Sequence, residues 1–436
     1  MKILRHKRLS RMLALLFILM LLFGAMSESS VAQAPIITEA TGLNADFVPP
    51  MGKVTLGDYE ANVFIPPPDV SSNPQAPTAT INVGFSSSFP LGDERTAYLY
   101  AVSIWAAALD STVPISITAD WQDLGYSPTG YALGYGGACN YVGLTINTWT
   151  AWFPRALADK LLGFDVNPGS CDAQNTFNSN TNIPWYFGTD GNPGPDEIDF
   201  VSVVVHELAH GFGFIGSMRV DDGNADNGVE CNGTAGVACW GYNSGGTTYP
   251  VVYDCFAGDG TTKNDDLLID TNVYANPSAS LGNALTSESV YFGGWDVTRD
   301  SGNHYPNLNV ELYAPTTWEQ GSSYAHWDED EFPAGDPNSL MTPVLGTQEA
   351  NHNPGSLTLA LFDDIGWDGT LPTDCAAQYT LTPVTVKSLD ATGLPLSGAS
   401  KTTSAQPWLP MGLGIATLLG TSIWLLVACR REKDTH

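Results

Sequence analysis

The sequence predicts an α+β fold: a sheet with a parallel strand pair backed by one long helix, then a second helix, then a loop-rich stretch. Three observations predict it. A strand-like run (Thr78–Phe85), a helical run of apolar and aromatic residues (Thr96–Asp110) and a second strand-like run (Val113–Ala119) follow one another directly, which is the order of a crossover between parallel strands. A strongly apolar segment then opens a second helix (Ile198–Phe212), with Asp196 or Glu197 near its positive end and Gly211 and Gly213 breaking it. The long stretch 216–325 is rich in loops. With 436 residues, 43% of them hydrophobic and 11% aromatic, the chain can bury a sizeable core.

In chain order, residues 1–32 read as a signal peptide. Lys2, Arg5, Lys7, Arg8 and Arg11 precede an apolar run, and Ser30-Val31-Ala32 offers a cleavage site. Residues 33–77 are Pro-rich and read as an N-terminal extension or propeptide of mostly irregular structure. The folded domain is expected at 78–375. Within it, 121–150 resists assignment, and Thr176–Asn180 with Trp185–Phe187 reads as a polar edge strand and its exit. Short strands are expected at Pro250–Asp254 and Val310–Tyr313, and a third helix at Ser356–Ile365. Residues 376–407 form a Ser/Thr/Pro-rich stalk.

The uncharged run 408–429 has 22 residues, enough to cross a bilayer, and the basic residues of the tail (430–436) place that tail in the cytoplasm. The body is therefore expected outside the cell, tethered by its C-terminal helix. A sorting site at Leu394–Gly398, leading to cell-wall attachment or release, is the alternative.

Formal charge is −29, and residues 33–429 carry 9 Lys/Arg against 43 Asp/Glu. Such a surface repels nucleic acid and anionic membranes, which excludes nucleic-acid-binding functions. Cys139, Cys171, Cys231, Cys239, Cys255 and Cys375 make an even set in an exported chain, so three disulfides are expected, with 15 pairings open.

The chemistry centres on His206-Glu207-Leu208-Ala209-His210. Two histidines four apart on a helix share a face and can bind one metal ion, and the adjacent Glu207 is placed to accept a proton from water. A pair of ordinary core histidines is the bland alternative. A buried glutamate between them without a metal would be costly. Two imidazoles do not complete a zinc site. The histidines left for a third ligand are His304, His326 and His352, with Glu230 as a carboxylate rival.

The run His206–Phe214 (HELAHGFGF) resembles the metzincins, whose common pattern puts a third histidine where this chain has Gly216. His326-Trp327-Asp328, followed by Leu340-Met341-Thr342-Pro343, resembles the leishmanolysin-like metzincins, in which an insertion separates the second and third ligands. The segments at 199–214, 321–328, 340–343 and 357–367 are also similar to those of bacterial secreted proteins assigned as peptidases from this motif. The resemblance implies a metzincin-type fold (a twisted mixed sheet with a backing helix and an active-site helix, and an irregular C-terminal subdomain) and a zinc ion held by His206, His210 and His326. It makes Glu207 the general base toward a zinc-activated water and Met341 the methionine of a supporting turn, with peptide-bond hydrolysis as the activity. An extended substrate would lie along the edge strand near 176–187. A non-catalytic surface adhesin on the same fold, or a zinc hydrolase of another bond, are the alternatives.

Weaker signals have ordinary alternatives beside them. Asp222, Asn224 and Asp226 put oxygens at alternate positions that could wrap a calcium ion, or form a plain acidic loop. Tyr324 could help hold an oxyanion, though packing is the simpler role. Asp328 could orient an imidazole or merely be exposed. Asn232-Gly233-Thr234 fits a glycosylation site in a host that glycosylates.

Overall fold

A computed structural model describes residues 37–40, 49–68, 79–224, 231–260, 266–300, 309–371 and 375. The expected signal peptide, stalk, membrane span and tail lie outside the described residues, as do Asp226, Glu230 and His304. No helix among the described residues is long and apolar enough to cross a membrane.

The described chain is mixed α+β. The N-terminal region forms β1 (Ile37–Ala40) and β2 (Gly52–Ile65). The crossover follows as β3 (Ile81–Phe85), α1 (Asp93–Ala108) and β4 (Ile115–Gln122). Next come β5 (Ala132–Ala138), β6 (Tyr141–Ile146), β7 (Trp149–Pro154), α2 (Arg155–Leu162) and β8 (Ala173–Asn178). The central helix is α3 (Phe200–Phe212). Short helices α4 (Ala279–Leu285) and α5 (Trp295–Asp300) precede β9 (Val344–Asn351) and α6 (Ser356–Ile365).

The main sheet runs in the order β9-β2-β5-β8-β4-β3. Its β3, β4 and β8 are mutually parallel, as the crossover pattern predicts. β5 runs antiparallel to β8, β2 antiparallel to β5, and β9 parallel to β2. A second sheet, β1-β6-β7, is antiparallel throughout.

Two expectations are corrected, and two stretches left without regular elements hold strands. The 33–77 segment, expected to be mostly irregular, supplies β1 and the 14-residue β2, whose alternation of Tyr59, Ala61, Val63 and Ile65 with Asp58, Glu60 and Asn62 is a strand signature overshadowed by flanking prolines. Residues 121–150 hold β5, β6 and the start of β7, where glycines let backbones approach closely. β8 is not an edge strand, because β4 and β5 pair with both its sides. Val252–Phe256 is a 3-10 turn rather than a strand, with Asp254 accepting from the backbone of Val251.

α3 is buried along its whole length, as expected of a helix apolar on every side but its chemical face. Its N-terminus is capped by Asp199, which accepts from Ser202 N at 2.8 Å. α1 lies against it, and Trp105 Nε1 donates to Val205 O at 2.9 Å. The six cysteines pair as Cys139–Cys171, Cys231–Cys239 and Cys255–Cys375. The first of these bridges the end of β5 to the start of β8.

Candidate metal centre

The α3 register sets His206 and His210 one turn apart on one face, with Glu207 between them. Gly213, at φ +126°, ends the helix, and its N–H donates to Ala209 O at 3.1 Å. The departure from the common pattern at Gly216 has a steric reason: a Cβ there would meet Asp254 Oδ1 at 2.2 Å and Tyr324 Cε1 at 2.4 Å. No histidine fits at that position. The third imidazole instead comes from His326, which the following residue secures: Trp327 N donates to Met341 O at 2.9 Å, and the Trp327 ring meets Phe214 edge-on.

The three Nε2 atoms form a nearly equilateral triangle. His206 to His326 is 3.1 Å, His206 to His210 is 3.1 Å, and His210 to His326 is 3.2 Å. Each ring's other nitrogen faces a backbone carbonyl: His206 Nδ1 faces Leu340 O at 2.6 Å, His210 Nδ1 faces Phe214 O at 2.8 Å, and His326 Nδ1 faces Ser322 O at 2.7 Å. A carbonyl only accepts, so each Nδ1 carries the proton and each Nε2 presents a lone pair. The Nε2 contacts are therefore not hydrogen bonds. Three lone pairs directed at one point repel unless a cation sits among them.

A metal ion of zinc's size fits this triangle: a point about 2.05 Å from all three nitrogens lies about 1 Å out of their plane. Burial pushes the His210 imidazole down to about 4. Burial, with the neighbouring imidazoles, holds His206 and His326 well below the usual histidine range. All three are held neutral, the form that ligates a metal. Among the described residues, these three make the one group of His, Cys, Asp or Glu side chains close enough to hold a metal ion.

Glu207 is fully buried. Its Oε1 accepts from Val54 N at 3.1 Å, and its Oε2 has no hydrogen-bond partner among the described residues. Burial raises its pKa well above the carboxylate range, against the lowering effects of the Val54 N–H and the Lys53 charge. Its main chain is clamped too: Asn175 Nδ2 donates to Glu207 O at 3.0 Å, and Tyr98 OH holds Asn175 Oδ1 at 2.9 Å. Gly134 and Gly136 on β5 leave room for it, since a Cβ on Gly136 would meet Glu207 O at 2.1 Å.

Met341 ends a buried 3-10 turn (Ser339–Met341) that packs against α3, and Leu340 of this turn supplies the carbonyl holding His206. Tyr324 is not placed as an oxyanion donor, because its hydroxyl donates to buried Asp254 Oδ1 at 3.1 Å. Asp328 orients no imidazole. Carbonyls hold all three rings, and Asp328 Oδ1 accepts from Asp330 N at 2.9 Å. His352 is distant in role: its Nε2 sits 2.8 Å from Asp199 Oδ2, tying the end of β9 to the cap of α3. Asp222 and Asn224 lie on an exposed turn closed by Asn224 N donating to Asp222 Oδ1 at 2.7 Å, and the described residues form no calcium cage there. Val54, Asn175, Asp199 and the three carbonyls carry no motif, which is why the sequence does not single them out.

Comparison with known proteins adds little. A family model described as SPBPB7E8-like matches residues 140–226, a stretch that includes α3. No curated protein and no solved structure matches the chain.

Proposed function

We propose that this protein is a zinc-dependent endopeptidase of metzincin type, exported and held at the outer face of the cell membrane. The observation that carries the reading is the triangle of three proton-free Nε2 atoms with the Glu207 carboxylate beside it. His206, His210 and His326 would hold the metal. Zinc, when bound, supplies positive charge that polarises a carbonyl and lowers the pKa of water toward about 7.

The chain's own residues do the rest. The carbonyls of Leu340, Phe214 and Ser322 fix each tautomer, so the ligand set is in place before a metal arrives. Glu207 Oε2, free of other hydrogen bonds, takes a proton from the attacking water and returns it to the leaving amine. The Gly213 turn, the distant third histidine and the Met341 turn beneath α3 support the metzincin assignment over one using Glu230. Three disulfides are consistent with folding in an oxidising compartment.

The test is metal content and peptide hydrolysis measured together. His206, Glu207, His210 and His326 are at most 2% exposed, so hydrolysis is assayed on zinc-loaded protein nicked ahead of Ala79 by limited proteolysis. Glu207→Gln should keep one zinc per chain and lose hydrolysis by roughly 100-fold or more, the scale of a general acid–base contribution. Hydrolysis undiminished in Glu207→Gln would remove Glu207 from the mechanism. A wild-type chain that binds no zinc would remove the reading altogether.

A further inference from the structure

The four chemical groups of the site are buried, and β2 lies directly on two of them, His210 and Glu207. Gly52 lies directly on the His210 ring, so close that a Cβ would meet it at 2.2 Å. Val54 N occupies Glu207 Oε1 at 3.1 Å. Lys53 N donates to Gly321 O at 2.9 Å, and the Lys53 side chain carries its charge toward Glu319 and Glu207. While β2 is in place, no carbonyl of another molecule can reach the triangle.

The way β2 is held is that of an occupant. It fills the gap between β5 and β9, paired antiparallel with the first and parallel with the second. Thr55 N reaches back to Pro343 O at 3.1 Å, just past the Met341 turn, and Leu56 N to Tyr131 O at 3.1 Å. Both sides of the strand are main-chain ladders. Its side chains add little to the core: only Gly52 and Val54 are buried, and from Asp58 onward every second residue is exposed. A strand in the interior of a sheet ordinarily anchors the core on at least one face, as Ile115, Ile117 and Ala119 of β4 do. β2 is held by its backbone, which is how a groove takes an extended peptide of variable sequence.

We propose that β2 is an inhibitory strand lying where the peptide substrate lies, and that the site becomes competent when β2 leaves. The occupant that replaces it is an extended polypeptide, antiparallel to β5 and parallel to β9, recognised through its main chain. This places the substrate between β5 and β9 rather than along β8. The inference rests on the peptidase reading for what enters the groove, while the covering of the site stands on geometry alone.

The test uses the full chain with a site for a sequence-specific protease placed between Pro68 and Ala79. Two readouts are taken before and after cutting: hydrolysis of a quenched peptide by the zinc-loaded protein, and amide hydrogen exchange in β5 and β9. Expected on cutting and dilution are faster exchange in both strands and hydrolysis at least tenfold higher. A synthetic peptide of residues 49–68, added back, should restore protection and suppress hydrolysis. Val54→Pro, which removes the donor to Glu207 without any cut, should raise hydrolysis by the intact chain.

If exchange rises and the peptide restores protection while hydrolysis stays absent, the covering strand is upheld and the peptidase reading falls. If the uncut chain hydrolyses peptide as fast as the cut one, the proposal is overturned. It is also overturned if loss of the 49–68 segment unfolds the domain, as circular dichroism would report, because β2 would then be core.

Discussion

At the scale of single residues, the site depends on proton bookkeeping that the backbone performs. Each Nδ1 is committed to a carbonyl, so each Nε2 is left as a ligand. His326 is the sharpest point to test, because it reaches the triangle across 115 intervening residues after His210. His326→Ala should weaken zinc binding beyond the roughly 10–100-fold that losing a ligand's hydrogen-bond partner costs, leaving secondary structure in place. Metal per chain after dialysis against a weak chelator checks this, and unchanged zinc retention would put the third ligand elsewhere. His352→Ala should keep its zinc, since that ring faces Asp199 instead.

At the scale of elements, α3 is held by its cap. Asp199 Oδ2 accepts from Ser202 N and Ser202 Oγ and also meets His352 Nε2, so one carboxylate oxygen ties the start of the helix to the end of β9. Asn351 N donates to Ser202 Oγ at 2.7 Å and closes the same junction. Asp199→Ala would remove the cap and leave His352 Nε2 without its partner in a fully buried place. The expected cost is at least about 2 kcal/mol, from cap loss of about 1 kcal/mol plus an unsatisfied buried group. A urea midpoint shifted to lower concentration with an unchanged slope is the signature. No change in midpoint would mean the junction contributes nothing to stability.

At the scale of the whole molecule, the acidic composition shapes the pH response. Burial, before any neighbour, lifts Asp159, Glu311, Glu329 and Asp363 each to about 7. Their ordinary values are 3.8 for aspartate and 4.5 for glutamate. A raised carboxyl contributes stability that is complete below its unfolded value and is lost as pH rises through about 7. The buried imidazoles act the other way: with folded values lowered, they remove stability as pH falls through their unfolded value of 6.5. A single substitution separates the two. Asp159 lies near Asp172 and Asp165, while its Oδ1 accepts from Val166 N. Asp159→Asn keeps that acceptor and removes the charge. It should be more stable than wild type at pH 8, and the advantage should shrink as pH falls from 7 toward 4. Denaturation midpoints across that range check the sign, and an advantage that grows toward acid would refute it.

The sequence by itself determined the elements whose pattern is local. The α1 and α3 helices, the parallel β3–β4 pair and the His206–Glu207–His210 face follow from periodicities of 3.6 and 2 and from the glycines that break them. It pointed to His326 and Met341 only through the resemblance of the runs around them to those of leishmanolysin-like metzincins. Only the tertiary structure decided what comes from chain segments far apart. The steric closure at Gly216 by Asp254 and Tyr324, the Leu340 carbonyl that sets the His206 tautomer, and the place of β2 between β5 and β9 are contacts between residues tens to hundreds of positions apart. A strand's sequence records its alternation but not its neighbours, because main-chain hydrogen bonds look alike whichever strand supplies them. That is why β2 carries a strand's alternation in a segment otherwise read as irregular, while its position over Glu207 and His210 shows only in the fold.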